Sequence, residues 1–245
     1  ADWRGPWGER VLMTNPLLSL NLPLGFGFMN ASWPGSPVLE GGAKRDAFIG
    51  ALHAAMDAGV TLLDTADIYA PSWDTIGHNE VLLAEAVRTW GGSAEQKAAL
   101  ILATKGGITR SAGEVWSKDS SYEYLMRAIE KSAANLGVRE IPLWQQHRLD
   151  THQTLSQQLE VLVRVRDAAP IRWLGVSNYS APQLRAALDA LGGPADGGIV
   201  SVQNQLSPAY RQQLDVLEVC EEFGLAFLPW SPMKGVRQSD AGSPV

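Results

Sequence analysis

Short apolar runs alternate along the chain with longer segments in which apolar residues recur every three or four positions. Seven runs have the length of a buried strand, at 22–28, 60–65, 100–105, 143–147, 172–178, 199–204 and 225–231. Six segments between them have helical periodicity, at 47–59, 79–90, 122–137, 155–169, 181–193 and 211–224. Several of these segments end on glycine, the residue that most readily closes a helix C-terminus. The pattern predicts alternating strands and helices, and therefore right-handed crossovers and a parallel sheet.

Two α/β architectures fit this order of elements, an open doubly wound sheet and an eightfold barrel. A doubly wound dinucleotide-binding sheet requires the pattern G-x-G-x-x-G in its first turn, and residues 25–30 read G-F-G-F-M-N. The sequence therefore favours a (β/α)8 barrel, an α/β fold, as a single domain over residues 1–245 in which only seven strands are evident.

Composition narrows the class of protein without identifying its chemistry. The chain has 245 residues, a formal net charge of −6 and one cysteine, Cys220, so an intrachain disulfide is excluded. An acidic balance argues against nucleic acid and against an anionic membrane surface as partners. No apolar run approaches the roughly 20 residues that span a bilayer, and residues 1–15 lack the features of a signal peptide. We expect a cytoplasmic protein whose partners are a small molecule and, in a homo-oligomer, further copies of itself.

In a barrel the catalytic groups gather where the strands end, so the last residues of each predicted strand are the candidates. Asp64, Lys105 and His147 end three of the strands, and Tyr69 lies just beyond Asp64. Polar or aromatic residues also end the later strands, at Ser177, Asn178, Gln203, Asn204, Trp230 and Ser231. A lysine beside a tyrosine lowers the pKa of the phenol, and an aspartate keeps a partly buried lysine charged. The cluster Asp64, Tyr69, Lys105 and His147 therefore has the chemistry of a proton-transfer site.

Six segments in order along the chain resemble the signature segments of the aldo-keto reductases. They are DTADIY (64–69), ATKGG (103–107), QQHRLD (145–150), WLGVSNYS (173–180), VQNQLS (202–207) and LPWSPM (228–233). The resemblance extends from about residue 20 to residue 235 and implies an NADPH-dependent reductase of aldehydes and ketones with a barrel fold. One departure is HRLD at 147–150, where the family usually has proline in place of Leu149.

The resemblance also implies a role for each matching residue. Tyr69 would be the general acid, His147 would orient the carbonyl oxygen, and Asp64 and Lys105 would complete the catalytic tetrad. The residues expected to bind NADPH are Ser177, Asn178 and Gln203 at the carboxamide, Trp230 on the nicotinamide ring, and Ser231 and Met233 along the pyrophosphate. No pattern of histidine, cysteine and acidic residues predicts a metal site.

Three tryptophans follow the first three predicted strands, at Trp33, Trp73 and Trp116. In a barrel such loops border the substrate, so these residues are candidates for an aromatic pocket that receives a bulky apolar or cyclic compound. They could equally cover the end of the barrel without contacting a ligand.

The family's eighth strand and its segment for the adenosine 2′-phosphate are not found before residue 245. The chain could be a fragment, another chain could complete the barrel, or the protein could be naturally short; the polar residues 236–245 favour the first explanation. Two alternative functions stay open at this stage. One is cofactor-independent acid–base chemistry on the same residues, as in a dehydratase, isomerase or cyclase, and the other is a non-catalytic subunit that senses nucleotide.

Overall fold

The computed structural model describes residues 15–233. Predictions about residues 1–14 and 234–245 therefore lie outside the described residues. The chain divides into two compact units, one comprising Leu20–Trp173 and the other the described parts of Ala1–Ser19 and Leu174–Val245. All seven predicted strands and all six predicted helices are present, with boundaries shifted by a few residues.

The unit Leu20–Trp173 contains four consecutive parallel strands and the helices that follow them. Its elements in chain order are β1 (Gly25–Gly27), α1 (Gly42–Asp57), β2 (Leu62–Asp64), α2 (His78–Thr89), α3 (Ala94–Ala98), β3 (Ile101–Gly106), β4 (Ile108–Ser111), β5 (Val115–Lys118), α4 (Tyr122–Leu136), β6 (Ile141–Gln146) and α5 (Leu155–Ala168). The strand order is β1, β2, β3, β6, and each neighbouring pair is parallel. Its core contains buried leucines from β2, β3, α1, α2 and α4, together with Phe28 after β1 and Trp90 after α2.

The other unit contains the remaining parallel strands and two helices. Its elements are β7 (Ile171–Ser177), which enters this unit at Leu174, α6 (Ala181–Leu191), β8 (Ile199–Gln203), α7 (Leu214–Phe223) and β9 (Ala226–Phe227). Strand β8 pairs in parallel with both β7 and β9. The buried amide of Asn15 adds to this unit, since it donates to the backbone carbonyls of Val200 and Gly224 at 2.8 Å each.

Local sequence sets the helix limits. Ser121 caps α4 by accepting from the backbone N–H of Tyr124, and Thr154 forms a capping box with Gln157 at the start of α5. Gly137 ends α4 with φ of 69° and Gly224 ends α7 with φ of 67°, a left-handed conformation that glycine adopts without steric cost. No helix within residues 15–233 combines the length and apolar character needed to cross a membrane.

The sequence analysis does not predict the short helix α3 or a hairpin that follows β3. The connection between β3 and α4 contains a two-stranded antiparallel hairpin, β4 and β5, in which Arg110 is paired with Trp116. Trp116 therefore lies on a strand rather than in an irregular loop. The hairpin packs on the segment that follows Tyr69, because the guanidinium of Arg110 donates to the carbonyls of Ala70 and Pro71 at 2.8 and 3.3 Å.

Candidate active site

The centre of the candidate site is an ion pair between Asp64 at the end of β2 and Lys105 near the end of β3. The parallel register pairs Asp64 with Ala103, so Asp64 and Lys105 project from the same face of adjacent strands. Lys105 Nζ lies 2.9 and 2.8 Å from the two carboxylate oxygens of Asp64 and 2.6 Å from the carbonyl oxygen of Thr65. The lysine is 1% exposed, and the aspartate side chain is 20% exposed.

This pairing explains how a lysine stays charged at the end of a buried strand. Burial has the largest single effect on the pKa of Lys105 and lowers it, but the charges of and hydrogen bonds to Asp64 and Tyr69 together hold the pKa above its usual value. The predicted relation between Asp64 and Lys105 is therefore present in the structure.

Tyr69 lies beside this ion pair. Lys105 Nζ is 5.3 Å from the centroid of the Tyr69 ring. Burial raises the pKa of the Tyr69 phenol, and the Lys105 ammonium lowers it by a smaller amount, so the pKa lies above its ordinary value. The sequence analysis predicted the effect of Lys105 with the right sign, but the net lowering that it implied is wrong because burial dominates. A phenol with a raised pKa is protonated at neutral pH and can donate its proton.

His147 follows β6 directly and completes the cluster. Its ring lies edge-on to the ring of Tyr69, with 5.7 Å between the centroids and an interplanar angle of 82°. Burial lowers the pKa of His147 well below its ordinary value, and the nearby charges of Lys105 and Arg148 lower it further. The imidazole is therefore neutral at neutral pH and suited to hydrogen bonding with an uncharged carbonyl group.

Buried side-chain amides support the turn after His147, where Leu149 stands in place of the proline that is usual in similar sequences. The side chain of Gln158 on α5 accepts from the backbone N–H of Asp150 and donates to the carbonyl of Asp150, both at 2.8 Å. Gln146 donates to Ser120 Oγ at 3.0 Å from the last position of β6. These buried amides hold the turn in which Leu149 stands in place of proline.

Ser177, Asn178, Gln203 and Trp230 form a second polar group, in the other unit. Ser177 Oγ donates to the carbonyl of Gln203 at 2.8 Å, and Asn178 Nδ2 donates to Ser177 Oγ at 2.9 Å. The indole N–H of Trp230 donates to Asn178 Oδ1 at 3.2 Å. The structure thus places these four predicted residues together: the Asn178 amide lies between Ser177 and the partly exposed indole ring of Trp230, and Gln203 joins the group through its backbone carbonyl. Such a set suits a flat ring that carries a carboxamide.

The last two predicted residues of this group follow Trp230. Ser231 is exposed and has a positive φ of 52°, and Met233 is 69% exposed. Asn178 also has a positive φ, 61°. Strained backbone of this kind in non-glycine residues is concentrated at functional sites, and two of the six predicted residues have it.

The structure brings two of the three predicted pocket tryptophans together. The rings of Trp33 and Trp116 lie 6.3 Å apart at 31°, and the Arg110 guanidinium lies 4.7 Å from the centroid of Trp116. Trp73 is attached to the hairpin through its backbone N–H, which donates to Glu114 at 3.2 Å. The three indoles are 42 to 46% exposed.

Arg110 and Glu114 belong to this surface and were missed by the sequence analysis. Arg110 is only 8% exposed and forms an ion pair with Glu114, which holds the hairpin turn with a positive φ of 62°. In the sequence, Arg110 is simply a charged residue five positions after Lys105. That position does not predict its contacts with Glu114 and Trp116.

Comparisons with known proteins identify the class to which this geometry belongs. Residues 23–241 match the model of the Aldo/keto reductase family. A curated protein named 6-dehydroglucose reductase, from Novosphingobium aromaticivorans, is 36% identical over 192 residues, covering 76% of this chain and 59% of that protein. An uncharacterized oxidoreductase of Schizosaccharomyces pombe is 30% identical over 210 residues, covering 86% of this chain and 62% of that protein. The chain therefore spans about three fifths of the length of these relatives.

Solved structures give the same result for the fold. The glycerol dehydrogenase AKR11B4 from Gluconobacter oxydans matches with a TM-score of 0.69 and 24% identity, over 87% of this chain and 60% of that one. The holo form of the aldo-keto reductase AKR11C1 from Bacillus halodurans matches with a TM-score of 0.67 and 23% identity, over 91% of this chain and 65% of that one. The predicted fold class, the (β/α)8 barrel of aldo-keto reductase type, is confirmed. The chain belongs to the aldo/keto reductase family.

Proposed function

We propose that the protein is an oxidoreductase that reduces an aldehyde or ketone to an alcohol with NADPH. The observation that carries the proposal is the buried Asp64–Lys105 ion pair beside Tyr69. An ion pair at this depth costs desolvation energy that an apolar pair would avoid. Its position beside the Tyr69 phenol gives it a chemical role, since the Lys105 ammonium lowers the pKa of Tyr69 against the larger effect of burial.

Each residue of the tetrad has a role that follows from its surroundings. Tyr69 donates a proton to the carbonyl oxygen as negative charge develops there. Lys105 stabilises the resulting phenolate, and Asp64 keeps Lys105 charged and in place. His147, neutral and buried, donates a hydrogen bond that orients the same oxygen.

The reduced nicotinamide of NADPH would supply the hydride that goes to the carbonyl carbon. We propose that Ser177, Asn178 and Gln203 bind its carboxamide, and that Trp230 stacks on the ring. Ser231 and Met233, which are exposed next to this group, would then lie along the pyrophosphate. Support for the nicotinamide comes from the side-chain amide of Asn178, which joins Ser177 to the partly exposed indole of Trp230.

A fluorescence titration tests the cofactor assignment. Adding NADPH to the purified protein should quench tryptophan emission in a saturable way, and a Trp230→Phe variant should bind with reduced quenching. A Trp173→Phe variant is the control, because Trp173 lies at the start of β7 and has no proposed cofactor contact. Absence of saturable quenching at millimolar NADPH would contradict the assignment, and product formation without any nicotinamide would favour acid–base chemistry instead.

For the substrate we propose a cyclic or otherwise bulky carbonyl compound that stacks on Trp33 and Trp116, with Trp73 at the edge of the same surface. Arg110 in the hairpin donates a hydrogen bond to the carbonyl of Ala70, the residue that follows Tyr69. The indole pair is therefore held near the proposed general acid. Sugar aldehydes are the first compounds to test, since one relative is named 6-dehydroglucose reductase.

Replacing Trp116 by alanine should raise KM for such a substrate about tenfold or more and leave KM for a small aldehyde such as propanal nearly unchanged. The reason is that stacking on an exposed indole stabilises only ligands with an extended face, and a loss of about 1.4 kcal/mol is a tenfold change in affinity. Steady-state kinetics with both substrates measures the difference. Trp173→Ala is a matched control, because Trp173 also has an arginine, Arg172, against its ring. Equal effects of Trp116→Ala on the two substrates would contradict the pocket.

A further inference from the structure

The residues next to Asp64 and Lys105 in the sequence face away from the proposed active site. Side chains alternate between the two faces of a strand. Thr104 in β3 is therefore directed to the face opposite the ion pair, and Thr65, the residue after β2, also bonds toward α2. Both threonines are fully buried. A movement of either threonine would move the backbone that carries a member of the ion pair.

Two consecutive residues in the first turn of α2 hold these threonines. Thr65 Oγ1 donates to Asn79 Oδ1 at 2.6 Å, and Thr104 Oγ1 donates to Glu80 Oε1 at 2.6 Å. Asn79 and Glu80 are themselves fully buried. The pair Asn79–Glu80 and the threonines Thr65 and Thr104 are called the clamp below.

Further hydrogen bonds fix the clamp to its surroundings. The Nδ2 of Asn79 donates to the carbonyl of Phe28 at 3.1 Å and to Ser32 Oγ at 2.7 Å. The second carboxylate oxygen of Glu80 accepts from Asn135 Nδ2 on α4 at 2.8 Å. The clamp thus joins the ends of β2 and β3 to α2, to α4 and to the residue before Trp33.

Burying the polar side chains of the clamp costs desolvation free energy that apolar side chains would not cost. A buried carboxyl group needs several hydrogen bonds to offset its desolvation, whereas leucine or valine would pack there without any. Burial raises the pKa of Glu80, while its bonds to Asn135 and Thr104 act in the opposite direction. Hydrogen bonds are directional, so they fix one register between α2 and the ends of β2 and β3, whereas apolar packing would not.

We propose that Asn79 and Glu80 are positioning residues, which hold the Asp64–Lys105 ion pair in the geometry that acts on Tyr69. The effect on catalysis rests on the proposed function, whereas the effect on Lys105 itself does not. Asn79 and Glu80 act on the ion pair through Thr65 and Thr104. The backbone N–H of Asn79 also donates to the carbonyl of Tyr69 at 3.1 Å, so the clamp holds the backbone of the proposed general acid as well.

The test compares two replacements of one residue. Thr104→Val has nearly the same shape as threonine but lacks the hydroxyl, and Thr104→Ser retains it. In the purified protein with NADPH, Thr104→Val should lower kcat, by up to about 100-fold if the ion pair shifts by an ångström, with little change in KM. Thr104→Ser should restore most of the wild-type kcat. Equal kcat for wild type and Thr104→Val would overturn the proposal, as would an equal loss in both variants.

A second readout needs no turnover and separates this proposal from the proposed function. Reductive methylation followed by peptide mass spectrometry reports the reactivity of each lysine. Lys105 should be protected in the wild type and Thr104→Ser, and should react about tenfold faster in Thr104→Val, since one unit of pKa is a tenfold change in the neutral amine. Lys44, whose side chain is 56% exposed, serves as the internal reference.

The combined outcomes are distinct. An inactive wild type in which Thr104→Val still exposes Lys105 would overturn the proposed function and support the clamp. An active wild type in which Thr104→Val leaves both kcat and Lys105 labelling unchanged would overturn the clamp alone. If Thr104→Val does not fold by circular dichroism, Thr65→Val against Thr65→Ser makes the same comparison at the Asp64 end.

Discussion

Replacing Tyr69 by phenylalanine is expected to lower kcat for NADPH-dependent carbonyl reduction by about 10²- to 10⁴-fold, the range for loss of a positioned general acid. Phenylalanine retains the ring that packs against His147 and removes only the hydroxyl. Binding of NADPH should therefore change little, because no proposed cofactor contact involves Tyr69. Stopped-assay or spectrophotometric kinetics, together with the fluorescence titration, measures the two quantities separately.

Tyr124→Phe is the matched control for this experiment. Tyr124 is also largely buried, and its hydroxyl donates to the carbonyl of Ile108 at 3.1 Å. Removing that hydrogen bond should cost about 1 kcal/mol of stability and leave kcat near the wild-type value. Full activity of Tyr69→Phe would contradict the proposed role of Tyr69, and a comparable loss in Tyr124→Phe would assign the effect to packing instead.

The strands and helices of this protein were predictable because each follows a strong periodic pattern. The run from 100 to 105 is apolar up to Lys105, and α4 has a serine cap at Ser121 and a glycine end at Gly137. The four members of the tetrad were also predictable, since parallel strands end at the same edge and their terminal residues could be read in order. The structure brings all four together.

The clamp and the hairpin could not be predicted in the same way. Asn79 and Glu80 stand at the start of a helix, where polar residues ordinarily cap the backbone and face solvent. Their burial depends on Thr65 and Thr104, which lie 14 and 24 residues away from them. The hairpin likewise depends on a long-range contact, from Arg110 to the carbonyl of Ala70. A local pattern does not contain such contacts.

The pKa of the Tyr69 hydroxyl was also only partly predictable from the sequence. The sequence predicts a cation near the phenol, and the structure contains it. The net direction of the pKa depends on how much water the fold removes from the hydroxyl, which no spacing of residues records. Burial outweighs the cation here, so Lys105 limits the rise in the pKa of Tyr69 rather than producing a fall.

Replacing Lys105 by methionine is expected to have the largest effect on stability among these variants, as well as a large effect on kcat. Methionine has a similar length but no charge, so it leaves the Asp64 carboxylate without the partner that now lies 2.8 Å away. Removing one partner of a buried ion pair typically costs 3 to 5 kcal/mol, and we expect about 3 kcal/mol because Asp64 is 20% exposed and keeps some contact with water. Urea denaturation measures this loss in the free energy of unfolding.

The double variant Asp64→Asn/Lys105→Met separates the structural role of the pair from its chemical role. With no charge left unpaired, stability should return to within about 1 to 2 kcal/mol of the wild type, since a buried ion pair contributes little net stability compared with neutral residues. Turnover should stay as low as in Lys105→Met, because no cation then remains to stabilise the Tyr69 phenolate. Lys44→Met is the control for loss of a lysine: its pair with Glu40 is exposed, and such pairs contribute less than about 1 kcal/mol. A double variant that regained turnover along with stability would show that the pair serves the fold alone, and Tyr69 would then need another source for the tuning of its proton.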